Sequence, residues 1–221
     1  MNSEIATSAF DSWGVGGLWS VGAAGITDFA DQAVVLPLAA ATFALFGFMR
    51  WWRGTIVWMT TIGCTLALIL LLKLRFFACN HAIPEELVRN PSGHAAGAAV
   101  VYGSLAITMV RSVWNMKRAL VPSTVAIAAS IAFVIGASRL QLDKHSMPEV
   151  VVGGGIGVVG AILFVLLAGA PTHNLRPVRL FIVTLLVIAV FHGMRVSFEA
   201  GLEKVANDVR NILTMIDVRI C

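Results

Sequence analysis

Residues 53–73 read RGTIVWMTTIGCTLALILLLK, a run of 19 uncharged residues bounded by Arg53 and Lys73. As a helix rising about 1.5 Å per residue, such a run nearly matches the ~30 Å of hydrocarbon in a bilayer. The pattern recurs along the chain. Stretches free of Asp, Glu, Lys and Arg cover 32–49, 54–72, 90–110, 119–138, 150–175 and 180–194. The last is short, but Arg179 and Arg195 at its ends can snorkel to the interface. Only 13% of the 221 residues are charged, against roughly 25% in an ordinary soluble domain. Hydrophobic residues make up 58% and the mean hydropathy is +0.85. The expected fold is all-α: a polytopic membrane bundle of about six spans, forming a single unit over 1–221.

Both tails differ from this core of residues 31–195. Residues 1–30 include an uncharged run, 12–27, that holds Gly14, Gly16, Gly17, Gly22 and Gly25 with Trp13 and Trp19. So much glycine argues against a spanning helix and for an interfacial segment anchored by tryptophan. No basic stretch precedes it, so it does not read as a cleaved signal peptide. In 196–221, Leu202, Val205, Val209, Ile212, Leu213 and Ile216 recur at helical spacing with charges between them. That predicts an amphipathic surface helix.

Six spans put the connections alternately on two sides. One side collects Arg50, Arg53, Arg111, Lys117, Arg118, Arg176 and Arg179 with no acid, a charge of +7. The other, with both tails, sums to −3. The positive-inside rule makes the basic side cytoplasmic, which turns both termini and the loops 73–91 and 139–149 outward. Trp51, Trp52 and Trp114 beside those bases suit an interfacial belt. The pI near 9.3 reflects this asymmetry, and nothing in it points to nucleic acid. Short loops and small size suggest a bacterial inner membrane, with the outward face in the periplasm.

The outward loops carry the chemistry. Asn90-Pro91-Ser92-Gly93-His94 leads into an apolar helix pattern. Ser92 suits an N-cap, and the N–H groups after it have no helical partner. Together with the positive helix end they form an anion site, which Gly93 lets a phosphate approach closely. His94 would stand at its edge with a titratable nitrogen. From the second loop, Arg139 offers a fork suited to phosphate oxygens. His145 and Glu149 are four apart, with Pro148 in the first helical turn, so the carboxylate reaches the imidazole. That fixes the tautomer and leaves the other nitrogen as a nucleophile.

Blander readings stand beside these. Either histidine could be an interfacial polar residue, Arg139 and Lys73 snorkelling anchors, and Asp143-Lys144 a solvated pair. His173 and His192 lie outside the constellation. His81, His94, His145 and Glu149 lack the spacing of a known metal site. Cys64 lies within a span and reads as packing. Cys79 and Cys221 would both face outward, where a disulfide could pin the tail to the site loop.

Pro91-Ser92-Gly93-His94, then Ser138-Arg139, five residues, His145, three residues and Glu149, resembles the type 2 phosphatidic acid phosphatase superfamily. That family's pattern has Lys, six residues, Arg-Pro; then Pro-Ser-Gly-His; then Ser-Arg, five residues, His, three residues, Asp. The second block matches in full, and the third matches except for Glu149 in place of Asp. In the first, Lys73 fits but Asn80-His81 replaces Arg-Pro, so Arg75 or Arg89 would have to substitute. The resemblance implies a metal- and cofactor-independent membrane lipid phosphatase. His145 would attack phosphorus, Glu149 would orient it, and His94 would protonate the leaving oxygen. Lys73, Ser92, Gly93 and Arg139 would hold the phosphoryl oxygens. Phosphatidate, phosphatidylglycerol phosphate, a polyprenyl diphosphate and a lipid A phosphate all remain open as substrates. A lipid phosphotransferase using the same histidine and a degenerate anionic-lipid binding or transport protein are the alternatives.

Overall fold

The computed structural model describes residues 15–78, 90–114 and 120–196, plus six residues between 201 and 208. Seven helices follow one another: α1 Val15–Asp28, α2 Gln32–Phe48, α3 Trp52–Ala78, α4 Gly93–Val113, α5 Leu120–Gln141, α6 Met147–Leu167 and α7 Pro177–Phe191. The protein is an all-α integral membrane protein. Five segments are long and apolar enough to cross a bilayer, and α7, at 15 residues, is shorter. The first of the five runs over Ser20–Phe48, but a turn at 29–31 breaks it. Its second part, α2, has 17 residues, about 26 Å of helix.

The glycine-rich segment is thus helical, as the 14-residue α1, which is too short to span by itself. Gly22 and Gly25 have open space where a Cβ would stand, so close packing does not require them. The described tail residues between 201 and 208 are helical, with Leu202 buried. Cys79, Asn80, His81, Arg89 and Cys221 lie outside the described residues, and with them the disulfide and two of the auxiliary phosphate contacts. Cys64 is exposed on the outer surface of α3 rather than packed within the bundle.

Helix α4 runs through the centre, packed most extensively against α5 and α6. Small residues make this possible. A Cβ added at Gly157 would strike the Ala96 backbone, one at Gly153 the Ser92 backbone, and one at Gly160 the Thr65 hydroxyl and Val100. In hydrocarbon there is little hydrophobic drive between helices, so close backbone approach supplies the dispersion contacts instead. The glycines of α6 thereby hold it against the start of α4, where the Ser-Gly-His run lies.

The far end of the bundle is closed differently. Trp58 stacks edge-on against Phe46 and Phe164, each with ring centroids 5.4 Å away, and donates its Nε1–H to the Ala39 carbonyl at 2.9 Å. Trp51 joins this cluster and is buried, unlike Trp52 and Trp114, which are exposed. Tight reversal at Arg50, with φ of 60°, folds Trp51 back into the core instead of leaving it in an interfacial belt. The basic residues here also tie off helix ends. Arg53 Nε donates to the Leu167 carbonyl at 2.8 Å, and Arg111 Nη1 to the Val165 carbonyl at 3.3 Å. Those carbonyls have no partner further along α6, so the arginines satisfy them where the helix stops.

Candidate active site

At the opposite end, Ser92 caps α4. Its Oγ accepts the Ala95 N–H at 3.4 Å, and the residue is fully buried. Gly93 follows with Lys73 close by: a Cβ at Gly93 would stand 3.6 Å from Lys73 Cε. Lys73, on the last turns of α3, is only 5% exposed. The lysine expected from the far end of one span and the Ser-Gly-His run from the start of another therefore meet.

Arg139 comes from the last turn of α5 and is also buried. The chain then reverses through Asp143, whose φ is 51°. The Lys144 N–H donates to the Arg139 carbonyl at 3.1 Å and the Asp143 N–H to the Leu140 carbonyl at 3.0 Å. These two bonds are the helix-ending pattern in which a left-handed residue closes the last turn. Asp143 is thus a structural corner, which returns the chain to start α6 at Met147, eight residues after Arg139. Ser138 spends its hydroxyl on the Ile135 carbonyl at 2.7 Å and supports the helix rather than a ligand.

Helix α6 opens with Ser146 as N-cap and Pro148 in its first turn. Glu149 makes four contacts there. Oε2 lies 3.2 Å from His145 Nδ1 and accepts the Ser146 N–H at 3.0 Å. Oε1 accepts the Asn90 N–H at 2.9 Å, and the Glu149 carbonyl accepts the Ser92 N–H at 3.0 Å. Glu149 therefore orients His145 and also ties the two sequence blocks together, a link that the spacing alone did not reveal. The His145 side chain is 1% exposed.

His94 has a partner that sequence reasoning missed. Its Nε2 lies 3.7 Å from Asp31 Oδ2, on the turn between α1 and α2, a distance for a charge pair rather than a hydrogen bond. No motif marks Asp31; the one local signal was its place as N-cap of α2, where its Oδ1 accepts the Ala33 N–H at 2.9 Å. Nearby, Arg195 makes a two-pronged pair with Asp28 at 2.7 and 3.1 Å, which pushes the guanidinium pKa up. His192 stacks on Phe29 at 4.4 Å and bonds the Gly25 carbonyl at 3.2 Å, so it secures α1 and takes no part in the site.

A cavity of about 560 Å³ brings together part of this set; Ser92, His145 and Glu149 are not among the residues that line it. Its polar end is lined by Asp31, Lys73, Gly93, His94, Arg139 and Lys144, and its apolar wall includes Leu36 from α2 and Leu66, Ile69 and Leu70 from α3. Lys144 and Asp143 are both exposed, as expected of a solvated pair, and Lys144 also lines the cavity. Arg75 is exposed and does not line it. Among the described residues no three His, Cys, Asp or Glu side chains cluster as a metal site.

Residues 75–173 match the model of the PAP2 superfamily. A Klebsiella pneumoniae protein described as an uncharacterized 22.5 kDa protein in cps region is 32% identical over 145 residues, 64% of this chain and 67% of its own. The chain belongs to the PAP2 superfamily. No solved structure matches it. The PAP2 match takes in both histidine blocks and begins just after Lys73. Asp31 lies well outside it.

Proposed function

We propose that this protein is a lipid phosphatase of the PAP2 type, working through a phosphohistidine at the outward, periplasmic face of the membrane. The observation that carries the reading is the composition of the cavity. Its lining offers two buried cations and the start of a helix to an anion, and leucine and isoleucine side chains to a hydrocarbon tail. A free sugar phosphate or nucleotide would gain nothing from the apolar wall, which contributes about 25 cal/mol per Å² only to an apolar ligand. The periplasmic assignment rests on the charge asymmetry, since the site lies at the end away from Arg53, Arg111 and Arg179.

The chemistry follows from the pairs. Glu149 holds His145 through Nδ1, so Nε2 attacks phosphorus, and a P–N bond forms as the P–O bond to the lipid breaks. His94 gives its proton to the departing lipid oxygen. It then takes a proton from water, which attacks the phosphohistidine, breaks the P–N bond and releases inorganic phosphate and free His145. Lys73, Arg139 and the N–H groups after Ser92 surround the equatorial oxygens, where charge is greatest in the transition state. Glu149 differs from the usual Asp by one methylene, and that reach spans from His145 to Asn90.

The test is phosphate release by the purified protein, in EDTA, from vesicles carrying phosphatidate, phosphatidylglycerol phosphate, a polyprenyl diphosphate or a lipid A phosphate. At least one should be hydrolysed, with His145→Ala inactive and His94→Ala reduced to a small residual rate. Equal release by parent and both variants would defeat the proposal.

A further inference from the structure

A carboxylate in the wall of a phosphate site calls for an explanation. Asp31 lines the same cavity as Lys73, Arg139 and Lys144, and a bare negative charge there would repel the anionic substrate. Its placement is well fixed. Oδ1 accepts two backbone N–H groups, from Ala33 at 2.9 Å and Val196 at 3.2 Å, and Oδ2 faces His94 Nε2 at 3.7 Å. The side chain is 9% exposed. The turn bearing it is secured again by the Asp28–Arg195 pair. Two segments distant in sequence, the α1–α2 turn and residues 195–196, thus hold one carboxylate in front of one imidazole nitrogen.

We infer that Asp31 is the positioning residue for His94, steadying its ring and the positive charge it carries as it delivers a proton to the leaving lipid oxygen. This rests on the reading of His94 as proton donor. Lys73, Arg139 and Lys144, which line the cavity, and the start of α4 all oppose a positive ring, while on α6 Glu149 is occupied by His145. Asp31 is the one acid among the described residues lining the cavity. Pairing also answers the repulsion, because its charge is offset by the protonated ring while substrate is bound.

In the step that forms the phosphohistidine the role is specific to poor leaving groups, whereas the later attack of water is common to all substrates. An alkoxide needs a proton as it departs, whereas a nitrophenolate leaves without one. Asp31→Asn keeps an oxygen for the Ala33 and Val196 N–H groups and Asn is as good an N-cap as Asp, so the fold should persist. The experiment compares the single-turnover rate of alcohol or phenol release, and the concentration that half-saturates it, for parent, Asp31→Asn, Asp31→Glu and His94→Ala on hexadecyl phosphate and on a chain-bearing nitrophenyl phosphate. For Asp31→Asn the expected result is an alcohol-release rate lower by about 10–100-fold, a half-saturating concentration unchanged or lower, and a nitrophenol-release rate within about threefold of the parent. Asp31→Glu should recover part of the alkyl activity. In the His94→Ala background, Asp31→Asn should cost little more. An active parent whose Asp31→Asn variant loses nothing, loses both substrates equally, or adds its full effect to His94→Ala overturns this inference alone. A parent inactive on both substrates overturns the phosphatase reading and this inference with it.

Discussion

His145 and His94 each face a carboxylate, but the two pairs are assembled in different ways. Glu149 reaches His145 across one turn of a single helix start, at 3.2 Å, and its remaining oxygen bonds the Asn90 N–H. Asp31 reaches His94 from another helix and a distant part of the chain, at 3.7 Å, held by N–H groups on two segments. The first pair depends on local helix geometry, the second on how α2 packs beside α4. A disturbance of the bundle should therefore loosen His94 well before it loosens His145. That difference suits their proposed tasks, since an attacking nitrogen needs tight alignment with phosphorus while a proton donor tolerates more movement.

The sharpest way to break the comparison is to remove the nucleophile. His145→Ala should cut phosphate release by at least ~10³-fold and abolish any acid-labile phosphoenzyme trapped from labelled lipid phosphate. A variant that still forms the phosphoenzyme would place the nucleophile elsewhere. Next in size, Glu149→Gln removes the charge beside His145 and should cost about 10²-fold in kcat. Glu149→Asp restores the family's usual residue but is too short to serve both His145 and Asn90. It should lose about tenfold, equivalent to one charge-assisted hydrogen bond. Parental activity in Glu149→Asp would show that the tie to Asn90 has no catalytic importance.

Two glycines of α6 separate site from scaffold. Gly153→Ala should drive a methyl into the Ser92 backbone and lower both stability and activity. Gly160→Ala meets Thr65 and Val100, deeper in the bundle, and should cost about 1–3 kcal/mol of stability while the folded fraction keeps its kcat. Thermal unfolding in detergent, read beside activity per folded molecule, distinguishes the two. The smallest effect belongs to Arg195→Ala. It breaks the pair with Asp28 but leaves Asp31 its two N–H partners, so alkyl-phosphate kcat should fall no more than about threefold.

Much of this site was legible because its chemistry is locally encoded. Ser92 as N-cap, Pro148 in a first turn and Glu149 within reach of His145 are all short-range relations, and each is present. Other features depend on packing and are not legible in the sequence. Trp51 was placed in an interfacial belt by its basic neighbours, yet the left-handed Arg50 turns it into the core. Cys64 reads as packing from its uniformly apolar run, yet it is exposed. In a membrane helix the face towards lipid is as apolar as the buried one, so period alone does not orient it.

The sequence by itself determined the class of molecule, the order of its membrane helices and the two histidine blocks, because uncharged run length and residue spacing along one helix carry that information directly. Only the tertiary structure decided that Lys73 lies against Gly93, that Glu149 ties Asn90 and Ser92 to His145, and that Asp31 stands before His94. Those contacts follow from how closely the glycine-bearing faces of α6 and α4 approach and how the α1–α2 turn is held. Helix-to-helix distance is set by side-chain packing across the bundle, and no spacing within a single segment records it.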